Sequence, residues 1–150
     1  MTLKERLQSD LTTAIRARDE LTAATLRMAL TAITTEEVAG KQARTLTDEE
    51  VVTVLGREAK KRREAATAFD DAGRRELADR ERAEGEVLAG YLPEQLSDDE
   101  IASLVLDAIA ELGASGPQAM GQVMKTVQPR VAGRAEGGRV AAEVKRQLAG

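Results

Sequence analysis

KKRREAATAFDDAGRRELADRERAEGEVL, residues 60–88, decides how this chain folds. On its N-terminal side Leu55, Ala59, Ala66 and Phe69 form a row whose spacing is helical only if position 62 belongs to it. That position is Arg62. Beyond Gly73 the same spacing runs through Leu77, Glu81, Glu84, Leu88 and Tyr91, so two carboxylates occupy places that should be apolar. An antiparallel helical hairpin closing near Gly73 matches Phe69 with Leu77, Ala59 with Leu88, Leu55 with Tyr91, and Arg62 with Glu84. The misplaced cation meets a misplaced anion, and we expect a structural ion pair between Arg62 and Glu84 at this seam. Lys60, Lys61 and Arg63 fall on other faces, where they either point to water or contact RNA phosphate, with Glu58 and Glu64 diluting the patch.

The remainder of the chain agrees with helix. Of its 150 residues 42% are hydrophobic and 32% charged, with only three Pro, which excludes a disordered polymer and favours an all-α protein rich in Ala, Leu, Glu, Arg and Lys. Hydroxyl residues stand three places before Glu at Thr2 with Glu5, Thr47 with Glu50, and Ser97 with Glu100, the sign of a capped helix start. Gly40, Gly73, Gly90, Gly113 and Gly133 supply stops. These marks predict helices over 2–17, 20–38, 48–71, 75–90, 98–112, 117–131 and 136–148, with a kink or early stop at Pro129. The first carries Leu3, Leu7, Leu11 and Ile15 as one stripe; the second has apolar residues around more of its circumference. GYLPEQLSDDE, residues 90–100, interrupts the pattern, which places a boundary between an N-terminal domain of long antiparallel helices, 1–92, and a small three-helix bundle, 93–150.

Several chemistries are excluded outright. There is no Cys and no His, hence no thiolate nucleophile, disulfide, imidazole base or ordinary zinc ligand set. Ser9, Ser97, Ser103 and Ser115 lack a nucleophile setting, and the carboxylate pairs at helix ends serve as caps, so we expect no catalytic residues, no metal and no cofactor. The first 15 residues carry no apolar signal-peptide core and no apolar run is long enough for a membrane span, which points to a cytoplasmic protein.

Charge is the remaining clue. The whole chain carries −4, yet residues 113–150 hold six cations, Lys125, Arg130, Arg134, Arg139, Lys145 and Arg146, against Glu136 and Glu143. Such a local excess suits a polyanion. AGRAEGG, residues 132–138, with Arg139 after it, reads either as a phosphate-holding turn or as a plain interhelical connection. Phe69 and Tyr91 are the sole aromatic residues, so nucleic acid would be held by backbone and shape, as in folded RNA such as tRNA.

RREAATAFDDAGRRELADRERAEGEVLAGYLPEQLSDDE at 62–100 resembles the central signature of YqeY-like proteins, with AGR at 72–74, Leu77, Glu84 and YLPEQL at 91–96. MGQVMK at 120–125, Pro129 and GRAEGG at 133–138 resemble the signature shared with the tail domain of GatB, the B subunit of tRNA-dependent Asp/Glu amidotransferases. The resemblance implies an all-helical fold in two parts and a tRNA-binding accessory role beside an aminoacyl-tRNA synthetase or amidotransferase subunit. An adaptor that contacts such a subunit without RNA is the rival reading. Glutamine-dependent carbon-nitrogen ligase activity also attaches to the resemblance, through whole complexes whose catalytic domains have no counterpart here. Among the matching positions, Lys125 and Arg134 are implied phosphate contacts, and Gly121 and Met124 are implied helix-packing residues.

Overall fold

A computed structural model describes residues 1–150. It is all-helical: α1 Leu3–Arg16, α2 Glu20–Glu37, α3 Asp48–Asp71, α4 Arg75–Ala89, α5 Asp98–Leu112, a 3-10 turn Pro117–Ala119, α6 Met120–Val131 and α7 Gly137–Ala149, with no strand. Local chemistry sets the boundaries. Thr2 accepts from the Glu5 N–H at 3.1 Å, and Thr47 with Glu50 and Ser97 with Glu100 form reciprocal capping boxes. Only three residues, Ala72 to Arg74, join α3 to α4, and Gly73 makes the reversal at φ 72, where an L side chain is strained.

Two compact units result, Met1–Leu92 and Pro93–Gly150. In the first, Leu7, Leu26, Ile33, Val51, Leu55 and Leu88 are at most 1% exposed and form the core. Helix α1 departs from the expected stripe: Ala14 is buried whereas Ile15 is 48% exposed. At 100° per residue a row of four-residue steps drifts round the helix, so position 14 lies closer to the Leu3–Leu7 line than position 15 does. In α4, Leu77 beside the connection is 41% exposed, and the neighbouring Ala78 is the buried residue. Met28 of α2 is also exposed, so that helix is not sealed all round.

Polar groups fasten this unit. Glu37 at the end of α2 accepts from Lys4 Nζ at 2.7 Å and from the buried Leu46 N–H at 3.2 Å, tying α1, α2 and the segment before α3 together. The Lys4 bond, with help from Leu46, holds the Glu37 carboxyl below the usual range. Tyr91 donates its hydroxyl to Asp10 Oδ2 at 2.6 Å while the Arg6 guanidinium lies 4.7 Å over its ring. Burial, then the Asp10 bond, push the Tyr91 phenol up to about 12. Because the folded value lies above the unfolded value of about 10, this contribution is complete below pH ~10 and fades as pH rises toward 12. The chain has one Tyr and no Trp, so phenolate absorbance reads this group alone. We expect titration near 12 in the folded protein, and Tyr91→Phe to lower urea stability by about 1–1.5 kcal/mol. A midpoint at the unfolded value would remove the clamp.

The second unit packs α5, α6 and α7 around Ile101, Val105, Val123, Val127, Val131, Val140 and Val144. Pro129 sits inside the last turn of α6 without stopping it early: the helix continues to Val131 and closes at Ala132 with φ 49. Leu96 is pinned ahead of α5 by its N–H donating to the Arg134 carbonyl at 2.7 Å.

Candidate nucleic-acid interface

Four of the six C-terminal cations have intramolecular partners. Arg130 of α6 pairs with Glu111 of α5, and Arg139 of α7 pairs with Asp98 at 2.7 Å while donating to the Leu96 carbonyl at 3.2 Å. Arg134 donates to the Glu94 carbonyl at 2.9 Å, and Arg146 pairs with Glu143 on its own helix. Hydrogen bonds from Arg146 and then Gln147 hold the Glu143 carboxyl at about 2. Lys125 and Lys145 are exposed and stand outside these pairs. Within 93–150 the six cations share the unit with eight carboxylates, Glu94, then Asp98, Asp99, Glu100, Asp107 and Glu111 of α5, and Glu136 and Glu143. Positive potential is therefore local, around particular side chains.

The structure refines the glycine-rich turn as well. Arg134 and Arg139 brace the entry to α5, so replacing them loosens the unit itself, and they are unsuitable as clean probes of RNA contact. Gly121 is exposed, and a Cβ there meets nothing within 4 Å, so it does not pack helices as the resemblance implied; Met124 does pack against the core.

The KKRRE stretch divides by face. Lys60 reaches Glu64 at 3.8 Å and Lys61 reaches Glu58 at 3.0 Å, both lysines being exposed; Arg63, also exposed, has a partner too. Arg62 turns inward. Its Nε lies 3.2 Å from Glu84 Oε2 and 3.7 Å from Glu81 Oε2, its Nη2 lies 3.5 Å from Glu58 Oε1, and Nη2 also donates to Met28 Sδ at 3.2 Å. Glu58 and Glu84 are each 8% exposed, and Arg80 joins Glu84 from outside at 3.2 Å. Burial first, and the Glu84 charge second, push the Glu81 carboxyl up. One guanidinium thus serves three carboxylates. Sequence reading put Arg62, Glu81 and Glu84 on the seam but took Glu58 only as a diluting surface charge; its place seven residues after Val51, on the buried face of α3, was the signal.

No group of three or more His, Cys, Asp or Glu side chains has metal-holding geometry, and no helix is long and apolar enough to cross a membrane. Comparison with known proteins gives a match over residues 4–148 to the family described as Yqey-like protein. One relative is altered inheritance of mitochondria protein 41, mitochondrial, from Pyrenophora tritici-repentis (strain Pt-1C-BFP), 32% identical over 134 residues, which cover 87% of this chain and 71% of that protein.

Proposed function

This chain belongs to the Yqey-like protein family, and from that premise we propose that it is a non-catalytic accessory module that holds folded RNA, tRNA first among candidates. The family is related to the C-terminal region of GatB. The observation that carries the reading is Lys125: within the MGQVMK motif of α6, Val123 is buried and Met124 packs inward, while the one cation is exposed and unpaired. Lys145 of α7 adds a second such cation to the same unit. Two free lysines with no ring to stack bases suit contact with phosphates on a shaped RNA. Arg130, Arg134, Arg139 and Arg146 contribute only by exchanging an internal partner for phosphate, and Lys60, Lys61 and Arg63 form a secondary patch under the same limitation.

Holding is also what the side chains permit. With no Cys or His, and with Ser97 engaged as a cap, the chain has no activated nucleophile and base to release ammonia from glutamine. Any carbon-nitrogen ligase chemistry belongs to a partner, an amidotransferase subunit or synthetase in this proposal, and the setting is the cytoplasm. Fluorescence anisotropy with labelled tRNA and with an unstructured single strand of equal length tests the reading. We expect tighter binding to tRNA and no ammonia release from glutamine. Equal or tighter binding to the single strand, or no binding at low salt, would reject it.

A further inference from the structure

We propose that the groove between α2 and α3 is a docking site for an acidic amphipathic helix of a partner protein. The groove has a volume of about 500 Å³. Met28 and Ala32 from α2 and Val54 from α3 give it an apolar floor, and Arg27, Arg57 and Lys61 stand among its lining residues. Both helices supply their residues at helical spacing, 28 with 32 and 54 with 57 and 61, so the groove runs along two rods and fits a third laid beside them.

Charge selects the class of occupant. Lining carboxylates Glu36 and Glu58 are already engaged, by Arg57 at 3.7 Å and by Lys61 at 3.0 Å together with Arg62 at 3.5 Å. Arg27 has no such partner, leaving three lining cations against two lining anions. A single surplus cation suits one carboxylate on a protein segment; a run of phosphates needs several, and the floor offers no aromatic ring on which bases could stack. The Arg62 guanidinium donates to Met28 Sδ from beneath, so the floor's adaptable thioether is held at the groove while its surface remains 36% exposed. An apolar row on the guest helix covers Met28, Ala32 and Val54, and a glutamate at its edge meets Arg27.

The chain's four methionines make the test direct. Met28 lines the groove, Met120 and Met124 pack in the other unit, and Met1 is terminal. With methionine methyls labelled for NMR and Met28 assigned through Met28→Leu, the full chain is titrated with three probes. These are a synthetic helix of about 14 residues, roughly four turns, bearing a leucine row flanked by glutamates, a scrambled peptide of the same composition, and tRNA. The expected result is a saturable Met28 shift with the amphipathic peptide alone, Met120 and Met124 unmoved, and binding weakened roughly ten-fold by Arg27→Glu. Arg27 is exposed, so that variant keeps the fold. No Met28 shift at millimolar peptide, an equal shift with the scrambled peptide, or a Met28 shift caused by tRNA would overturn the proposal. The RNA reading is judged separately, by whether tRNA moves Met124 next to Lys125.

Discussion

Arg62→Ala lowers the stability of the N-terminal unit by about 3–5 kcal/mol, the cost of removing one member of a buried ion pair and leaving the others behind. Here the charges left behind are Glu58, Glu81 and Glu84, two of them 8% exposed and all within 3.7 Å of the lost guanidinium. Lys61 and Arg80 approach only from the rim and cannot replace a planar donor set between the helices. In thermal unfolding the loss corresponds to roughly 10 °C or more. The effect also carries a pH signature. Without Arg62 the Glu81 carboxyl, already pushed up by burial and then by the Glu84 charge, loses the attraction that opposes that rise. The variant is then weakest where Glu81 is ionised, near neutral pH, and its deficit shrinks as pH falls through the raised Glu81 value and that carboxyl takes up a proton. A cavity in an apolar seam would give a deficit independent of pH. Unchanged stability in both Arg62→Ala and Glu84→Ala would show that the cluster does not hold the hairpin.

Much of this architecture was legible because it is locally encoded. Thr47 with Glu50 and Ser97 with Glu100 announce helix starts from four consecutive residues, and the bounds of α3 and α5 match the reading drawn from them. The seam oddity at Arg62 was legible for a related reason: a charge that breaks an apolar period must find a partner, and helical spacing limits where that partner lies. What escaped reading depends on contacts distant in sequence. Tyr91 bonding to Asp10, Glu37 capturing the Leu46 N–H, and Arg139 reaching Asp98 join residues whose local spacing carries no trace of the meeting. The charge count misled in the same way. Residues 113–150 look basic as a string, but folding brings α5 and its carboxylates against them. Of the candidate contacts in that stretch, Lys125 and Lys145 emerge as the exposed, unpaired pair only in three dimensions.

That distinction yields the second large effect. Lys125→Ala with Lys145→Ala removes two exposed cations that have no structural partner, so the fold persists. If each neutralises one phosphate, each accounts for a slope of about 0.9 in the dependence of log K on log salt, because binding releases the condensed counterions. The double variant should therefore bind tRNA roughly 50-fold more weakly at about 0.1 M salt, and the difference should narrow as salt rises. Lys60→Ala with Lys61→Ala should do less, since Glu64 and Glu58 already compete for those two ammonium groups. Both doubles need a thermal melt matching the parent protein for the comparison to count.

The most direct measurement is the salt dependence of tRNA affinity for the parent chain and the Lys125→Ala/Lys145→Ala double variant, determined side by side. The account predicts that the double variant loses about 1.8 from the slope of the parent. A folded double variant whose slope and affinity equal the parent's would contradict it.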